Sequence, residues 1–442
     1  MKVEFVRNVL GVFFLMLLSW QAFASPPPPN VVVFILDDVG REDVGAFGNA
    51  IVKTPHIDKL AAEGMRFDNA FLTTSSCSPS RASILTGLYP SATGARNLHD
   101  SLPAEIVSLP QLLRNAGYYT ASVGKWHLGE PFKSHFDRVV EDREESGAAD
   151  WLPELSRRPT DKPFFFWLSS KDAHEPYYWY PPLLHYSPSA MPVPYYAEDN
   201  PFTRQVMAGY YNEITRADYS IGLVLDQLRK QNVIDNTLII VLSDNGSHIG
   251  GAKTSLYDEG LKTPLVLRLP GTILRGSVNL QLVSTVDLMP TILELAHVLP
   301  ATDVPGVSLL ATLSNPKIPV REYIYAEQNK HGQEHFSRVV HTQNYLYKRN
   351  YFNRRLCNPM DDAIWDPDIP RDAGHAEFYD LQRDMHAQEN RIKDPVYGNN
   401  LNAARQTMST IMAQTQQYIP HLIMEQCDLR PFHERVTWRP EL

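Results

Sequence analysis

The chain has 442 residues, 43% hydrophobic and 21% charged, with a formal net charge of -9 at pH 7. That length buries a large core, enough for one big domain with a smaller companion. The acidic balance excludes a broad basic footprint for nucleic acid, so recognition of any anion has to come from locally placed positive charge.

Lys2 and Arg7 flank a short apolar run over 9–20, and Ala22-Phe23-Ala24 offers a small-x-small cleavage site. This is the pattern of a signal peptide over residues 1–24, too short for a span of about 20 apolar residues. Export to the periplasm or the exterior is expected, with no membrane insertion after cleavage. Residues 31–36 are an unbroken apolar run ended by Asp37 and Asp38, which predicts a strand buried on both faces. Thr54, Pro55 and Gly64 bracket a short helix over 55–64, with Thr54 as its cap. A helix over 109–116 leads into a strand over 118–123, and 164–168 is another strand. Residues 205–230 form a long helix with Ile214, Asp218, Ile221, Val224, Leu225 and Leu228 at helical spacing. Strands over 238–242 and 265–269 and a helix over 287–297 complete an α/β sandwich around a mostly parallel sheet, assigned to residues 25–320. From Tyr323 the runs become short, aromatic and β-branched, ending in a helical tail over 402–419. Residues 321–442 are therefore expected to be a C-terminal α+β subdomain with a small antiparallel sheet.

In open α/β sheets, ligands bind beyond the carboxyl ends of the strands. Asp37 and Asp38 end the first strand, Lys125 and His127 follow the second, His174 follows the third, and Asp244 and Asn245 end the fourth. Asp37, Asp38, Asp244 and Asn245 are all oxygen ligands, a set that suits Ca²⁺ or Mg²⁺ rather than zinc, although each pair alone also fits a helix cap or a turn. Cys77 stands in Ser75-Ser76-Cys77-Ser78-Pro79-Ser80-Arg81, before a helical pattern through Ile84, Leu85 and Leu88. Pro79 suits a first helical turn, so Cys77 is expected at a helix N-terminus, where free N–H groups favour an anion and lower a thiol pKa; the alternative is a small buried thiol. Asn97, His99 and Asp100 are either sugar contacts or solvated loop, and Tyr177 to Tyr180 either a stacking platform or core. His331, His335, Arg338, Arg354 and Arg355 either reach the pocket from the small domain or lie on a solvated face, which is the default. Cys357 and Cys427 make an even pair that export would allow to join. The one sequon, Asn245-Gly246-Ser247, falls on a candidate ligand, which argues against a glycosylated form.

Cys77-Ser78-Pro79-Ser80-Arg81, continuing through Ala82 to Thr86 and Gly87, resembles the C-x-P-S-R signature of type I sulfatases of the alkaline-phosphatase-like superfamily. Gly124-Lys125-Trp126-His127, Lys253 four residues before Tyr257, and Glu377-Phe378-Tyr379-Asp380-Leu381 follow in that family's order. The resemblance implies that a maturation enzyme oxidises Cys77 to formylglycine (3-oxoalanine). It implies a metal, usually calcium, on Asp37, Asp38, Asp244 and Asn245, with residue 77 completing the shell. It further implies that Arg81 orients residue 77, that Lys125 contacts residue 77 and the sulfate, and that His174 and Lys253 contact the sulfate, one of them protonating the leaving oxygen. His127 is implied as the base. Asn97-Leu98-His99 and Arg338-Val339-Val340-His341 resemble the sulfamidase-like and polysaccharide-desulfating branches. The expected substrate is a sulfated oligosaccharide or polysaccharide, either algal, such as carrageenan, or a glycosaminoglycan fragment. Three alternatives stand beside it: an N-sulfoglucosamine sulfamidase, a formylglycine phosphodiesterase or phosphonate hydrolase of the same superfamily, and an inactive carbohydrate-binding homologue. Asp258 and Lys262 depart from the family's usual run, and Lys262 is expected behind the substrate contacts.

Overall fold

All seven residues of β1 (Asn30–Leu36) are buried, and their side chains alternate between two cores. Val31, Val33 and Ile35 enter one core and Val32, Phe34 and Leu36 the other, each side chain contributing roughly 1.5–3 kcal/mol over exposure. A strand apolar on both faces belongs in the middle of a sheet covered on both sides. The computed structural model, which describes residues 27–141, 144–177, 186–299, 303–351 and 376–415, places β1 there.

The other strands of this region are β2 (Met65–Phe67), β3 (Ala70–Phe71), β4 (Tyr119–Gly124), β5 (Arg138–Glu141), β6 (Phe164–Ser169), β7 (Thr237–Ser243), β8 (Leu265–Arg268), β9 (Ser277–Asn279) and β10 (Val283–Ser284). The main sheet has eight strands in the order β5-β4-β6-β1-β7-β8-β2-β9, while β3 and β10 form a separate parallel pair. β1 runs parallel to β6 and β7, and β4 runs parallel to β5 and β6. β8 alone is reversed, antiparallel to β7 and β2. The carboxyl ends of β1, β4, β6 and β7 therefore open on one edge. The long helix Pro201–Lys230 covers one face, with Ile214, Ile221 and Leu225 in the core. The helices Cys77–Thr86 and Leu288–Leu295 cover the other.

One local expectation fails. Thr54 does not cap the helix Pro55–Glu63; its hydroxyl donates to Asp58 at 2.9 Å and accepts from the Gly45 N–H. The free N–H groups of His56 and Ile57 go instead to the buried Asp218 carboxylate of the long helix, at 3.1 and 2.8 Å. A carboxylate is the stronger acceptor, and it ties two helices together at once.

Gly124 closes β4 at φ 105°, immediately before Lys125. A Cβ on it would lie 1.9 Å from the Ser169 carbonyl oxygen. Gly124→Ala is therefore expected to cost about 3 kcal/mol or more of stability, read as a lower denaturant midpoint; an unchanged midpoint would refute the close approach.

β11 (Ile324–His331), β12 (Gln333–His341), β13 (Tyr345–Asn350) and β14 (Ala376–Asp380) form the small antiparallel sheet in that order. The helix Gly398–Gln414 packs Met408, Ile411 and Met412 against Tyr325, Val340 and Tyr347 on one face. The other face, through Ile324, Ala326, Val339 and Leu346, packs onto Phe71, Leu72 and Leu256 of the main body. The edge strand β11 is also stitched to the main body: the Glu327 N–H donates to the Thr73 carbonyl at 2.8 Å, and the Thr74 hydroxyl to Gln328 at 3.1 Å. Arg338 corrects the expectation of a solvated face, for it is wholly buried. It stands opposite Glu327 in the β11–β12 register, pairs with that carboxylate at 3.3 Å and donates to Asn329 at 3.0 Å.

The signal-peptide reading of 1–24, the Cys357–Cys427 pair, Tyr178 to Tyr180, Arg354, Arg355, the side chain of His335 and the tail beyond residue 415 lie outside the described residues. Among the described residues, no helix is long and apolar enough to cross a membrane.

Candidate active site

The helix Cys77–Thr86 begins at Cys77, with Ser76 extended before it and Pro79 in its first turn. It ends at Gly87, whose φ of 67° turns the chain and returns its N–H to the Ser83 carbonyl at 2.9 Å. All ten residues are buried although half are polar. The Cys77 Sγ lies 3.9 Å from one oxygen of Asp37 and 3.9 Å from one of Asp38. The expected depression of the thiol pKa is reversed: it is pushed up to about 12 by burial, with Asp244 and Asp38 adding to the rise and Lys125 and Lys253 opposing it. Removal from water outweighs the helix terminus.

Among the described residues, Asp37, Asp38, Cys77 and Asp244 bring one ligand atom each within 4.8 Å of one another. Asp244 accepts from Arg81 Nε at 2.8 Å and from the Asp38 N–H at 3.3 Å. Lys125 pairs with Asp37, and Lys253 Nζ reaches both oxygens of Asp38 at 2.7 and 2.8 Å. Burial works against the charges of Lys125 and Lys253, yet their pKa values rise, for Lys125 through Asp37 and then Cys77, and for Lys253 through Cys77 and then Asp38 and Asp37. Arg81 Nη1 also donates to the Ser169 hydroxyl and, at 3.2 Å, to the Lys125 carbonyl. Asn245 donates its amide nitrogen to Asp38 at 2.6 Å, and its Oδ1 is buried with no hydrogen-bond partner among the described residues. Three carboxylates and one unused amide oxygen fit a hard divalent cation such as Ca²⁺ or Mg²⁺.

Asp38, His99, His127 and Thr254 all adopt positive φ, between 58° and 73°. Such backbone costs of order 1–3 kcal/mol per residue and is held only where surrounding contacts demand it. For Thr254 those contacts are explicit: its N–H donates to the Ser75 carbonyl at 3.1 Å and hydroxyl at 3.0 Å, while the Lys253 N–H donates to the Ser247 carbonyl at 2.7 Å. Lys253 is thereby fixed against the segment that leads into Cys77.

The histidines differ in state. His127 Nε2 lies 2.7 Å from His99 Nδ1, and His127 Nδ1 is buried without a partner among the described residues. Burial first, then Lys125 and Arg81, lowers its pKa to about 2, so the ring is neutral. His174 donates Nδ1–H to the Glu175 carbonyl at 2.6 Å, and its Nε2 stands 4.0 Å from Asp38. Cys77, Arg81, Lys125, His174, Lys253, Asp37, Asp38, Asp244 and Asn245 thus gather at one place, with His127 and His99 beside them. Asn97 is spent on the small sheet, its Oδ1 accepting from the Lys330 N–H at 3.2 Å. Lys262 pairs with Asp258 at 2.9 Å, and Asp258 meets His341 at 2.9 Å. Tyr177 packs on the core side and shares its hydroxyl with His248 at 2.9 Å.

Sequence reasoning missed two neighbours, Ser169 and His248, and gave a third, His331, the wrong default. Ser169 is the last residue of β6, so the strand-end rule would have found it. His331, left by default on a solvated face, places Nδ1 2.8 Å from the Ser76 hydroxyl. His248 meets Glu175 at 3.0 Å. The last two come from pairings between distant segments, which leave no local pattern.

Comparison with known proteins agrees with this geometry. The Sulfatase family model matches residues 29–146 and 144–298, and the model described as N-sulphoglucosamine sulphohydrolase, C-terminal, matches 246–415. The chain is 29% identical over 458 residues to human N-sulphoglucosamine sulphohydrolase, covering 86% of this chain and 89% of that one. It is 30% identical over 401 residues to an ulvan-active sulfatase of Formosa agariphila, covering 85% and 78%. A solved structure described as bound to its substrate D-glucosamine-2-N,6-O-disulfate superposes with a TM-score of 0.75 at 21% identity, covering 88% and 98%. With residues 29–298 under one family model and its small sheet under a second, the chain belongs to the sulfatase family and is a sulfatase enzyme.

Proposed function

We propose that this chain is an exported sulfatase that removes sulfate from a sulfated carbohydrate, with residue 77 as formylglycine and a calcium ion, or magnesium in its place, beside it. The observation that carries this reading is the position of Cys77: first residue of a buried helix, 3.9 Å from both Asp37 and Asp38, and ringed by Lys125, Lys253 and Arg81. Formylglycine, hydrated, supplies an oxygen nucleophile where a thiol held at about 12 does not. The cation, held by Asp37, Asp38, Asp244 and Asn245, supplies positive charge beside the sulfate.

The remaining work falls to the chain's own side chains. Arg81 holds Asp244 and keeps the cage in register with the helix that carries residue 77. Lys125 and Lys253 bring two ammonium groups to the edge of the cage, where they bind the sulfate oxygens. His174, its Nδ1 committed to a carbonyl, presents Nε2 toward the sulfate; this group or Lys253 delivers the proton to the leaving oxygen. His127, neutral and with Nδ1 unpartnered, takes a proton from residue 77 to release sulfate.

The carbohydrate assignment rests on the relatives, which include an enzyme named for ulvan and one for N-sulphoglucosamine. The match of 246–415 to the N-sulphoglucosamine sulphohydrolase C-terminal model favours a second reading, cleavage of an N–S rather than an O–S bond. Sulfate release should be measured across defined O-sulfated and N-sulfated oligosaccharides, algal and glycosaminoglycan, beside 4-nitrophenyl sulfate and a nitrophenyl phosphodiester. Release from one class of sulfated sugar is the expected result. Faster cleavage of the phosphodiester than of every sulfate would overturn the proposal.

A further inference from the structure

We infer that His99 is a positioning residue that fixes the tautomer of His127 by accepting a hydrogen bond from its Nε2–H; this rests on the proposed role of His127 as base. The two rings lie 4.7 Å apart between centroids, with His127 Nε2 2.7 Å from His99 Nδ1. One of the two nitrogens donates. The choice is decided at the other end of the His127 ring, where Nδ1 is buried and has no partner among the described residues. The charges that act most on the ring are those of the cations Lys125, Arg81 and Lys253, all of which oppose a proton on it. Among cations a buried lone pair is favoured, whereas a buried N–H is repelled and also left without an acceptor. Nδ1 therefore carries the lone pair, Nε2 carries the hydrogen, and His99 Nδ1 accepts it. A base needs a free lone pair turned inward, and a histidine's free nitrogen is set by what its other nitrogen bonds.

His99 is built to hold that position. Its φ is 70°, and its N–H donates to the Ser78 hydroxyl, one residue beyond Cys77, at 2.8 Å. The adjoining Leu98 N–H donates to the Lys330 carbonyl at 2.9 Å, and Asn97 Oδ1 takes the Lys330 N–H. The loop is thus anchored both to the Cys77 helix and to the end of β11. A ring that served only to touch a sugar at the mouth would not need its Nδ1 directed at His127.

The test uses 4-nitrophenyl sulfate, which carries no sugar. His99→Ala is expected to lower kcat by about 10- to 100-fold with KM nearly unchanged. His99→Asn, whose Oδ1 stands where Nδ1 stood, is expected to recover most of that loss. Unchanged kcat in His99→Ala, or equal losses in both variants, would overturn the inference. His127→Ala is measured alongside: wild-type kcat there would sink the base reading itself, while its loss with an unaffected His99→Ala would sink only the role given to His99.

Discussion

Cys77→Ser is expected to be inactive, with kcat down by on the order of 10⁴-fold or more, while the fold and sulfate binding persist. Serine fills nearly the same volume at the head of the helix, so little packing is lost. What is lost, on the proposed reading, is the thiol that oxidation would convert to an aldehyde; a seryl hydroxyl, once sulfated, has no second hydroxyl from which His127 could take a proton to expel the sulfate. The same logic applies to wild-type protein left as a thiol. Burial pushes that thiol's pKa up, which disfavours the thiolate. Mass spectrometry of active enzyme should therefore show formylglycine at residue 77. Full turnover in Cys77→Ser, or an intact thiol in active protein, would refute the assignment.

Asp244→Ala is expected to abolish metal binding and activity together. The carboxylate has two duties: one oxygen neutralises Arg81, which is wholly buried, and the other faces the cage. Leaving Arg81 without its partner costs about 3–5 kcal/mol, so this variant will also melt earlier. Asp244→Asn separates the effects, since the amide keeps the volume and one oxygen while surrendering the charge. It should fold, bind calcium more weakly as read by elemental analysis after dialysis, and lose about 10²- to 10³-fold in kcat. A folded Asp244→Asn protein with a full complement of metal and normal turnover would rule out the oxygen cage.

The parts of this structure visible in the sequence are those decided by neighbours along the chain. The unbroken apolar run of β1, the helical spacing over the long helix, and the polar residues at or after the ends of four strands all mark their places locally, and because β1, β4, β6 and β7 are parallel those residues meet. What was hidden depends on strand direction or distant contact. β8 is as apolar as its neighbours, four buried residues in a row, so nothing in its composition reveals that it runs backwards. Thr54 looked like a cap, but Asp218, 162 positions away, took the His56 N–H. The rise in the thiol pKa could not be read from Cys77's position on a helix, because it follows from how completely the helix is enclosed.

On the proposed reading, the stitching of β11 across Thr73 and Thr74 would set an order of events. Cys77 is 1% exposed, and the segment before it is clasped by Gln328, 254 positions later in the chain. If Cys77 is matured to formylglycine as proposed, the modifying enzyme would have to reach it while the small sheet is still undocked. At roughly 5–20 residues made per second, those 254 positions take about 10–50 seconds to emerge. Anything that slows docking of the C-terminal strands lengthens that interval and should raise the yield of matured protein, whereas refolding already finished, unconverted protein should not rescue it unless the small sheet is first released.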